Sequence, residues 1–451
     1  MFYLSISNRV EIFKKLSLLL FLIGNFVFAQ TNVSQLQNDK YQRVDAIEII
    51  GNEDTEDFVI LRELTFGIGD SVNSAILFFN RERIFSLRIF TKVNLSIVNS
   101  KGFNTLQILI EESWYIFPVP FINVREKTLK RTSYGISLKY KNFRGRNETI
   151  RLTTSLGYDP FYSFEYENPL IIPSQDINFA FAFAYGTPVN KSPTLEIING
   201  EEFDFKVFST NTILGKRFNK ENNLYFALGY SSIETPSEEV IPLMASSTSV
   251  DKTISSGFIY VFDSRNLRQF AESGFYFELD YLHNGFGMNN ISYNEFSFEA
   301  RKYNKIYSDL MIKGRFHTKQ MFGKYIPPYS LTRFGYDYYT RGNRYLVREG
   351  KNRLLGSVEI TYPIITEWNF AIDLPIIPNS LTRARIAVHA SIFADAGTVY
   401  NDANDLSFSN LNSGYGAGIS FLFLPYSSFR VEYDSNEFGI GELLIETGIS
   451  F

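Results

Sequence analysis

Residues 134–451 alternate between large apolar side chains and small or polar ones, and this pattern restricts the fold more than any other feature. Within residues 176–186, Ile177, Phe179 and Phe181 share one parity, whereas Asn178 and Ala180 share the other. A period of two is that of a β-strand, in which successive side chains point to opposite faces. About sixteen such segments, each of roughly ten residues, can be counted. The region is therefore predicted to be antiparallel sheet.

The same alternation would suit a water-soluble sandwich, whose apolar face is core, or a membrane barrel, whose apolar face contacts lipid. Aromatic residues make up 16% of the chain, which suits a surface that meets acyl chains and headgroups. An even count of about sixteen strands is typical of bacterial barrels and exceeds what one sandwich needs. We therefore predict a membrane β-barrel of about 16 antiparallel strands over residues 133–451.

Residues 1–29 have the features of a secretory signal peptide. A basic start that includes Arg9 and Lys14 precedes an apolar run over residues 16–29, which ends at Ala29 before Gln30. The alternative, an uncleaved anchor helix, would need a longer run, since a membrane span requires about 20 residues. No later apolar run approaches that length. The sequence therefore predicts an exported chain whose membrane segments are strands.

Residues 42–113 form a separate unit with its own pattern. A strand pattern at 43–50 precedes two helical segments, the first capped by Asp54 or Thr55 and the second by Asn73. Two more strand patterns cover residues 90–98 and 103–111. The order βααββ predicts one small α+β domain. Residues 114–132 are predicted to be an irregular linker because they contain Pro118 and Pro120.

The titratable residues argue against several functional classes. The 44 Lys and Arg nearly balance the 48 Asp and Glu, so there is no electrostatic reason to expect nucleic-acid binding. The chain has no Cys, which excludes disulfides and thiolate sites. His283, His317 and His389 show no metal-ligand spacing, and no Gly-x-Ser-x-Gly motif occurs. We expect no metal, no cofactor and no catalytic residue. A barrel hydrolase that uses one of these histidines is the weaker alternative.

Several short motifs resemble those of a known family. The unit at 42–113 resembles a polypeptide-transport-associated (POTRA) domain through residues 47–52, 62–64, 69–70 and 90–93. The barrel region resembles the BamA/TamA outer-membrane assembly superfamily, which includes two-partner-secretion transporters. Its motifs are Asn142-Phe143-Arg144-Gly145-Arg146-Asn147, Asp263-Ser264-Arg265 with Gly274, Thr340-Arg341-Gly342-Asn343, Gly356 with Glu359, Phe393-Ala394-Asp395-Ala396-Gly397 and Gly416-Ala417-Gly418.

The resemblance implies that the loop containing Arg341 and Gly342 folds back into the barrel lumen. The family motif is usually Val-Arg-Gly followed by an aromatic residue, so this chain keeps the arginine and glycine and differs on both sides. Glu359 and Asp395 alternate with apolar neighbours, which places them on the lumen face. We expect Arg341 to pair with Asp395, with Glu359 nearby, because a guanidinium can donate two hydrogen bonds to one carboxylate. The alternative is that Arg341 is one solvated charge in a basic loop.

The last strand is predicted over residues 442–451 and ends on Phe451, which has the apolar parity. By the resemblance, this aromatic end is the signal through which outer-membrane barrels are recognised for assembly, and a chance terminal residue is the alternative. Gly448 either weakens strand pairing or marks a lumen-facing position that needs no side chain. The barrel seam is expected between this strand and residues 134–142.

Together these features predict a protein that helps other polypeptides into or across the outer membrane. The expected partners are unfolded outer-membrane or secreted polypeptides, the lipid bilayer and accessory periplasmic proteins, with the N-terminal domain in the periplasm. The mechanism would be strand addition at an opened seam and at the POTRA edge, because an unpaired edge recruits another strand. A passive pore is the alternative. Within the family, both a general insertase and a dedicated exporter are open.

Overall fold

The computed structural model describes residues 40–125, 128–335, 338–448 and 450. The predicted signal peptide, residues 1–29, and Phe451 lie outside these described residues. Within the described ranges, no helix is long and apolar enough to cross a membrane. Two units follow one another along the chain. A small α+β domain ends near residue 112, and a large antiparallel sheet begins at residue 116.

The N-terminal domain contains β1 (Gln42–Arg43), β2 (Ala46–Ile50), α1 (Asp57–Leu61), β3 (Ser71–Val72), α2 (Ser74–Phe85), β4 (Phe90–Ser100) and β5 (Phe103–Glu112). Its main sheet has the order β2-β5-β4, with β2 parallel and β4 antiparallel to the central strand. Strands β1 and β3 form a short separate ribbon. This small α+β domain is present as predicted, with the ribbon as an addition.

The helices of this domain begin differently from one another. Asn73 caps helix α2, as predicted, and its side chain accepts a hydrogen bond from the Ile76 N–H at 3.0 Å. Helix α1 has only five residues and follows Glu56, so the predicted cap by Asp54 or Thr55 was wrong. The Thr55 hydroxyl instead accepts a hydrogen bond from Asn142 of the barrel at 2.9 Å. Thr55 thus binds Glu112 of its own domain and Asn142 of the barrel instead of capping the helix.

The core of the N-terminal domain is continuous with the end of the barrel. Leu106 and Ile108 on β5 and Ile84 on α2 are completely buried. Burial of such side chains contributes roughly 1.5–3 kcal/mol each. Leu267 and Phe270, which belong to a barrel turn, lie in the same hydrophobic cluster. The domain is therefore packed against the barrel rather than tethered to it.

Sixteen strands form one antiparallel sheet, which confirms the predicted fold class and strand count. They are β6 (Ile116–Val124), β7 (Thr132–Phe143), β8 (Glu148–Gly157), β9 (Phe161–Ile172), β10 (Ile177–Gly186), β11 (Lys206–Arg217), β12 (Asn222–Glu234), β13 (Val250–Asp263), β14 (Gly274–Asn284), β15 (Ser292–Tyr307), β16 (Leu310–Tyr325), β19 (Asn352–Ala371), β20 (Arg383–Tyr400), β21 (Asn412–Leu424), β22 (Ser427–Asn436) and β23 (Gly441–Thr447). Shorter elements lie in the loops: β17 (Thr332–Phe334), β18 (Arg348–Gly350), α3 (Pro193–Asn199) and α4 (Asn379–Thr382).

The segment predicted as an irregular linker is largely the first barrel strand, β6, and this prediction was wrong. The Lys141 N–H donates to the Tyr115 carbonyl at 2.8 Å, so odd-numbered residues direct their backbone groups toward β7. Pro118 and Pro120 are even-numbered, so both missing N–H groups fall on the side without a partner strand. Proline is tolerated at such an edge. The barrel therefore begins at residue 116 rather than at residue 133.

Side chains on the wall alternate between an outer apolar face and an inner polar face, as predicted. Phe181 packs near Phe164 of the neighbouring strand, and Phe183 near Phe208, with ring centroids 6.4 Å apart in both pairs. The inner parity buries charged residues such as Glu299. This is the arrangement of a membrane barrel and the inverse of a soluble sandwich.

The sheet has two end strands, β6 and β23, and the boundary between them is called the seam. Among the described residues, no strand pairing joins β6 to β23. Residues 134–142, predicted as a seam strand, belong to β7, which pairs on both sides. Strand β23 is described from Gly441 to Thr447, and Gly448 after it has a φ of +98°, which favours glycine; the predicted end at residue 451 lies outside the described residues.

The N-terminal domain covers one end of the barrel, called the near mouth. Turns between barrel strands make the contacts. Arg217 donates to Glu63 at 2.7 Å, and Gln269 donates to the Phe85 carbonyl at 2.9 Å. Arg62 of the domain donates to the Pro169 carbonyl at 3.0 Å. The near mouth is therefore lined by a folded domain that is held through buried polar contacts.

Candidate functional site

The long loop between β16 and β19 folds back into the barrel, and its residues 339–344 are called the lumen loop. Arg341 in this loop is only 5% exposed. Its Nε donates to Asp395 Oδ2 at 2.7 Å, and a terminal nitrogen donates to Asp395 Oδ1 at 2.8 Å. The Arg341 backbone N–H also donates to this carboxylate, at 3.0 Å. Paired donation of this kind fixes the orientation of the guanidinium as well as its position.

Two further carboxylates face the other terminal nitrogen of Arg341. That nitrogen lies 3.0 Å from Glu359 Oε2 and 3.5 Å from Glu432 Oε1. Lys313 approaches Glu359 from another side, with its Nζ 3.1 Å from Oε1. All these side chains are at most 6% exposed. Arg430 pairs with Glu432, with 3.0 Å between Nε and Oε2, so the three carboxylates face three cations, which is the condition for burying ionised groups.

An aromatic side chain supports the same guanidinium. Phe393 lies on the inner parity of β20, and the Arg341 guanidinium carbon is 3.5 Å from the centroid of its ring. A cation over an aromatic face at this distance is attracted by the ring quadrupole. Strands β19, β20 and β22 thus each contribute a contact to Arg341.

Gly342 allows the lumen loop to approach the last strands closely. Its φ of +86° lies in the left-handed region that favours glycine. Its N–H donates to Asp434 Oδ2 at 3.0 Å. A Cβ at this position would lie 2.7 Å from the carbonyl carbon of Ser435, closer than real side chains come to backbone. The positive φ and the close approach to Ser435 both require glycine at position 342.

We expect Gly342→Ala to lower the free energy of unfolding by roughly 1–3 kcal/mol, the usual cost of a strained backbone position. The lumen loop should also become more accessible to protease. Thermal unfolding in detergent and limited proteolysis would measure both effects. Gly314→Ala on β16 is a matched control, because a Cβ there meets nothing within 4 Å. Equal behaviour of the two variants would contradict the steric argument.

The lumen loop is also tied to the last strand of the sheet. The Tyr339 hydroxyl lies 3.0 Å from both oxygens of Glu446, which is on β23. Arg344 and Arg430 also form ion pairs with Glu446. The loop therefore contacts both the interior of the wall and the strand at the seam.

The structure places Arg341, Gly342, Glu359 and Asp395 together, as the sequence suggested, and it adds residues that sequence reasoning missed. Those residues are Lys313, Phe393, Glu432, Asp434 and Glu446. Glu432 and Asp434 could have been assigned to the lumen face from the sequence, since both lie on the polar face of β22. Gly448 lies just past β23, where its N–H donates to the Ser428 carbonyl at 2.8 Å.

A barrel turn enters the lumen from the near mouth. Phe270, between β13 and β14, lies beneath Lys313, whose Nζ is 4.0 Å from the ring centroid. The same ring packs against His389, with centroids 4.3 Å apart. The adjacent Gln269 contacts Phe85 of the N-terminal domain. Lys313 therefore touches both the Arg341 cluster and the turn that meets the N-terminal domain.

A barrel hydrolase would need a histidine held between a nucleophile and an orienting acid. His317 Nε2 lies 3.4 Å from the Ser297 hydroxyl, but His317 Nδ1 has no hydrogen-bond partner in the described part of the chain. Its ring packs on Tyr338, with centroids 4.8 Å apart. This geometry does not form a catalytic triad. Across the described ranges, no group of three or more His, Asp or Glu is placed to hold a metal ion.

The model of the Omp85 superfamily domain matches residues 142–433, which is more than half of the chain. The chain belongs to the Omp85 superfamily. As an Omp85 protein, it is a β-barrel of the outer membrane. The matched region includes the lumen loop and its partners on β19, β20 and β22. No curated protein matches the sequence significantly.

Solved structures share the fold of this Omp85 protein at low sequence identity. BamA from Haemophilus ducreyi lacking POTRA domains 1-3 is 16% identical, with a TM-score of 0.53, 90% of this chain covered and 84% of that chain. CdiB from Escherichia coli is 13% identical, with a TM-score of 0.56 and coverages of 90% and 75%. CdiB from Acinetobacter baumannii is 15% identical, with a TM-score of 0.51 and coverages of 90% and 73%. These similarities concern the fold alone.

Proposed function

We propose that this protein helps client polypeptides into or across the outer membrane by strand addition at the seam between β6 and β23. The observation that carries the proposal is the absence, among the described residues, of strand pairing across the seam, beside a last strand that is fixed from inside by the lumen loop. An end strand presents N–H and C=O groups that a strand of another chain can satisfy. The proposal requires no cofactor and no covalent chemistry.

The two end strands differ in the number of hydrogen bonds that they can form with an added strand. The even-numbered residues of β6 direct their backbone groups to the free edge, and Pro118 and Pro120 are two of them. Proline has no N–H to donate, so this edge can form fewer hydrogen bonds with an added strand. Strand β23 contains no proline. We therefore propose that β23 is the edge that receives the client strand and that β6 is the edge that separates from it.

The lumen loop has a structural role in this proposal. Arg341 and Gly342, with Glu359 and Asp395, hold the strands next to the seam in a fixed arrangement while β23 is free to pair. The proposed clients are unfolded outer-membrane or secreted polypeptides, and accessory periplasmic proteins are proposed as further partners. We propose that the N-terminal domain is a POTRA-like domain in the periplasm, which would offer the edges of β2 and β4. Gly448 and Phe451 are proposed as the signal for assembly of this barrel itself.

A passive pore is less well supported. The lumen contains the lumen loop and the Phe270 turn, and the N-terminal domain covers the near mouth. A diffusion pore uses none of these features. A diffusion pore would conduct in a planar bilayer with the N-terminal domain in place, whereas we expect little conductance from the intact protein and more only when the domain is removed or undocked.

Introduced cysteines test the seam directly, because the chain has none of its own. Suitable exposed positions are Val119 on β6, Leu443 on β23 and, as a control in the middle of the wall, Leu228 on β12. A client with a cysteine in its terminal strand should form a disulfide with Leu443→Cys most readily and with Leu228→Cys not at all. Equal cross-linking at the three positions, or none at the seam, would refute the proposal. Comparison of the outer-membrane proteome after depletion would then separate a general insertase from a dedicated exporter.

A further inference from the structure

The hairpin of β19 and β20 extends beyond the neighbouring wall at the near mouth. Strand β19 pairs with β16 only from Arg353 to Thr361. It continues to Ala371 with β20 as its one partner, through two register shifts. Residues 362–382, called the β19–β20 tip, therefore project past the end of β16.

The β19–β20 tip exposes a large apolar surface. Only Glu367 and Asp373 in this segment are charged, and the Ile376 side chain is fully exposed. The exposed apolar residues are Tyr362, Ile364, Ile365, Trp368, Ile372, Leu374, Ile376, Ile377 and Leu381. A patch of this size marks a surface that is covered by something other than water.

Both charged residues of the tip are paired with arginines. Glu367 pairs with Arg81 of that domain, with the two side chains 3.1 Å apart. Asp373 pairs with Arg383 at 3.3 Å, and Arg383 also donates to Glu111 of the domain at 2.7 Å. Glu367 therefore faces the domain, whereas the Asp373 side chain is 82% exposed and its charge is compensated by Arg383.

The tip reaches the start of the first seam strand. The Ser380 carbonyl accepts a hydrogen bond from the Trp114 N–H at 3.3 Å, and Trp114 lies two residues before β6. The Tyr426 hydroxyl, from the turn between β21 and β22, donates to the same carbonyl. The tip thus extends along the rim of the near mouth to the seam.

Strand register identifies the occupant of the apolar patch. Ile365 lies opposite Val388 and Trp368 lies opposite Ile386, and both partners belong to the outer parity of β20. The patch is therefore continuous with the surface of the barrel that contacts lipid. Tryptophan is enriched where proteins meet the membrane interface, and both tryptophans of the chain, Trp114 and Trp368, lie in this region. This continuity with the lipid-facing surface, together with the two tryptophans, favours a bilayer over a protein partner as the occupant.

We propose that the β19–β20 tip is a lipid-binding element, which inserts its apolar side chains into the bilayer leaflet on the near-mouth side, beside the start of β6. The backbone contact between Ser380 and Trp114 then holds the first seam strand to the membrane surface. This inference depends on the barrel being in a bilayer and not on client assembly at the seam, so the two can fail separately.

Tryptophan fluorescence can test insertion in the full-length protein reconstituted into phosphatidylcholine–phosphatidylethanolamine vesicles. The variant Trp114→Phe, Trp368→Phe, Ile376→Trp carries its single tryptophan at the tip. Its emission should be blue-shifted and mostly lost when the vesicles contain phospholipids brominated on the acyl chains. Aqueous iodide should quench it weakly. Quenching by iodide but not by brominated lipid would show that the tip faces water or a protein partner, and would overturn the proposal.

A control and a disrupting variant complete the experiment. Ile197 on α3 is 81% exposed and lies in a loop at the opposite end of the barrel. Ile197→Trp in the same tryptophan-free background should show the reverse pattern, with quenching by iodide alone. With Trp368 as the only tryptophan, Ile376→Asp together with Ile377→Asp should reduce quenching by brominated lipid, while the barrel keeps its folded electrophoretic mobility. Unchanged quenching of Trp368 in that variant would count against insertion of the tip.

Discussion

Replacing Arg341 with alanine is expected to lower the free energy of unfolding of the barrel by about 3–5 kcal/mol, the usual cost of removing one partner from a buried ion pair. Asp395, Glu359 and Glu432 would then share a lumen region without their common cation. The lumen loop should leave the wall and become sensitive to protease. Urea unfolding, followed by the electrophoretic mobility of the folded barrel, and proteolysis of residues 338–348 would measure the two effects.

Two further variants separate the role of Arg341 from a general effect of charge. Lys351→Ala removes an exposed cation from the same long loop and should leave stability and protease resistance unchanged. Arg341→Lys keeps the charge but cannot donate two parallel hydrogen bonds to Asp395, so it should restore only part of the loss. If Arg341→Ala resembled Lys351→Ala in both assays, Arg341 would be one more solvated charge of the loop.

Glu63→Gln is expected to loosen the N-terminal domain from the near mouth. Glu63 pairs with Arg83 at 3.0 Å and with Arg217 of the barrel at 2.7 Å, and all three side chains are at most 10% exposed. Loss of its charge leaves two buried arginines uncompensated, which should weaken docking by about 3–5 kcal/mol. Conductance in planar bilayers should rise, and the joint at residues 113–115 should be cleaved faster. Glu48→Gln, at an exposed position on β2, should change neither.

The same contact predicts how docking depends on pH. Burial alone would raise the pKa of Glu63, but the charges of Arg217, Arg268 and Arg83 lower it to about 2, from an ordinary value of 4.5. A carboxyl group with a lowered pKa stabilises the docked state fully above its ordinary value, and this contribution is lost as the pH falls toward the lowered one. Conductance of the natural chain should therefore be constant from pH 7 to pH 5 and rise below about pH 4.5. The Glu63→Gln variant should lack this rise.

The barrel could be predicted from the sequence because its pattern is local and repeated. The strict alternation of segments such as residues 177–185 indicates a strand with one apolar face, and the number of such segments assigns that face to lipid. The first strand was missed because Pro118 and Pro120 indicate irregular backbone unless their neighbours are known. Only the position of β6 at the end of the sheet shows that their missing N–H groups need no partner.

The lumen site was predictable in part, for a different reason. The alternation of polar and apolar residues indicates which face of the sheet Glu359 and Asp395 occupy, and the family resemblance identified Arg341. Lys313 and Glu446 could not be linked to the loop, because strand parity gives the face of a residue and not its height along the barrel axis. The docking of the N-terminal domain could not be predicted from the sequence either. Nothing local to Glu63 or Arg217 indicates that the two residues form a buried ion pair between the units.

The two sides of the seam are attached to different parts of the molecule. On one side, Tyr115 and Asn142 contact Thr55, so the entry to the first barrel strand moves with the N-terminal domain. On the other side, Glu446 is bound by residues of the inserted loop, which is fixed to the wall. A rotation of the N-terminal domain would therefore move the β6 side of the seam while the β23 side stays in place. Under the proposed function, a client polypeptide that displaces the domain would widen the seam and leave β23, the strand proposed to receive it, in place.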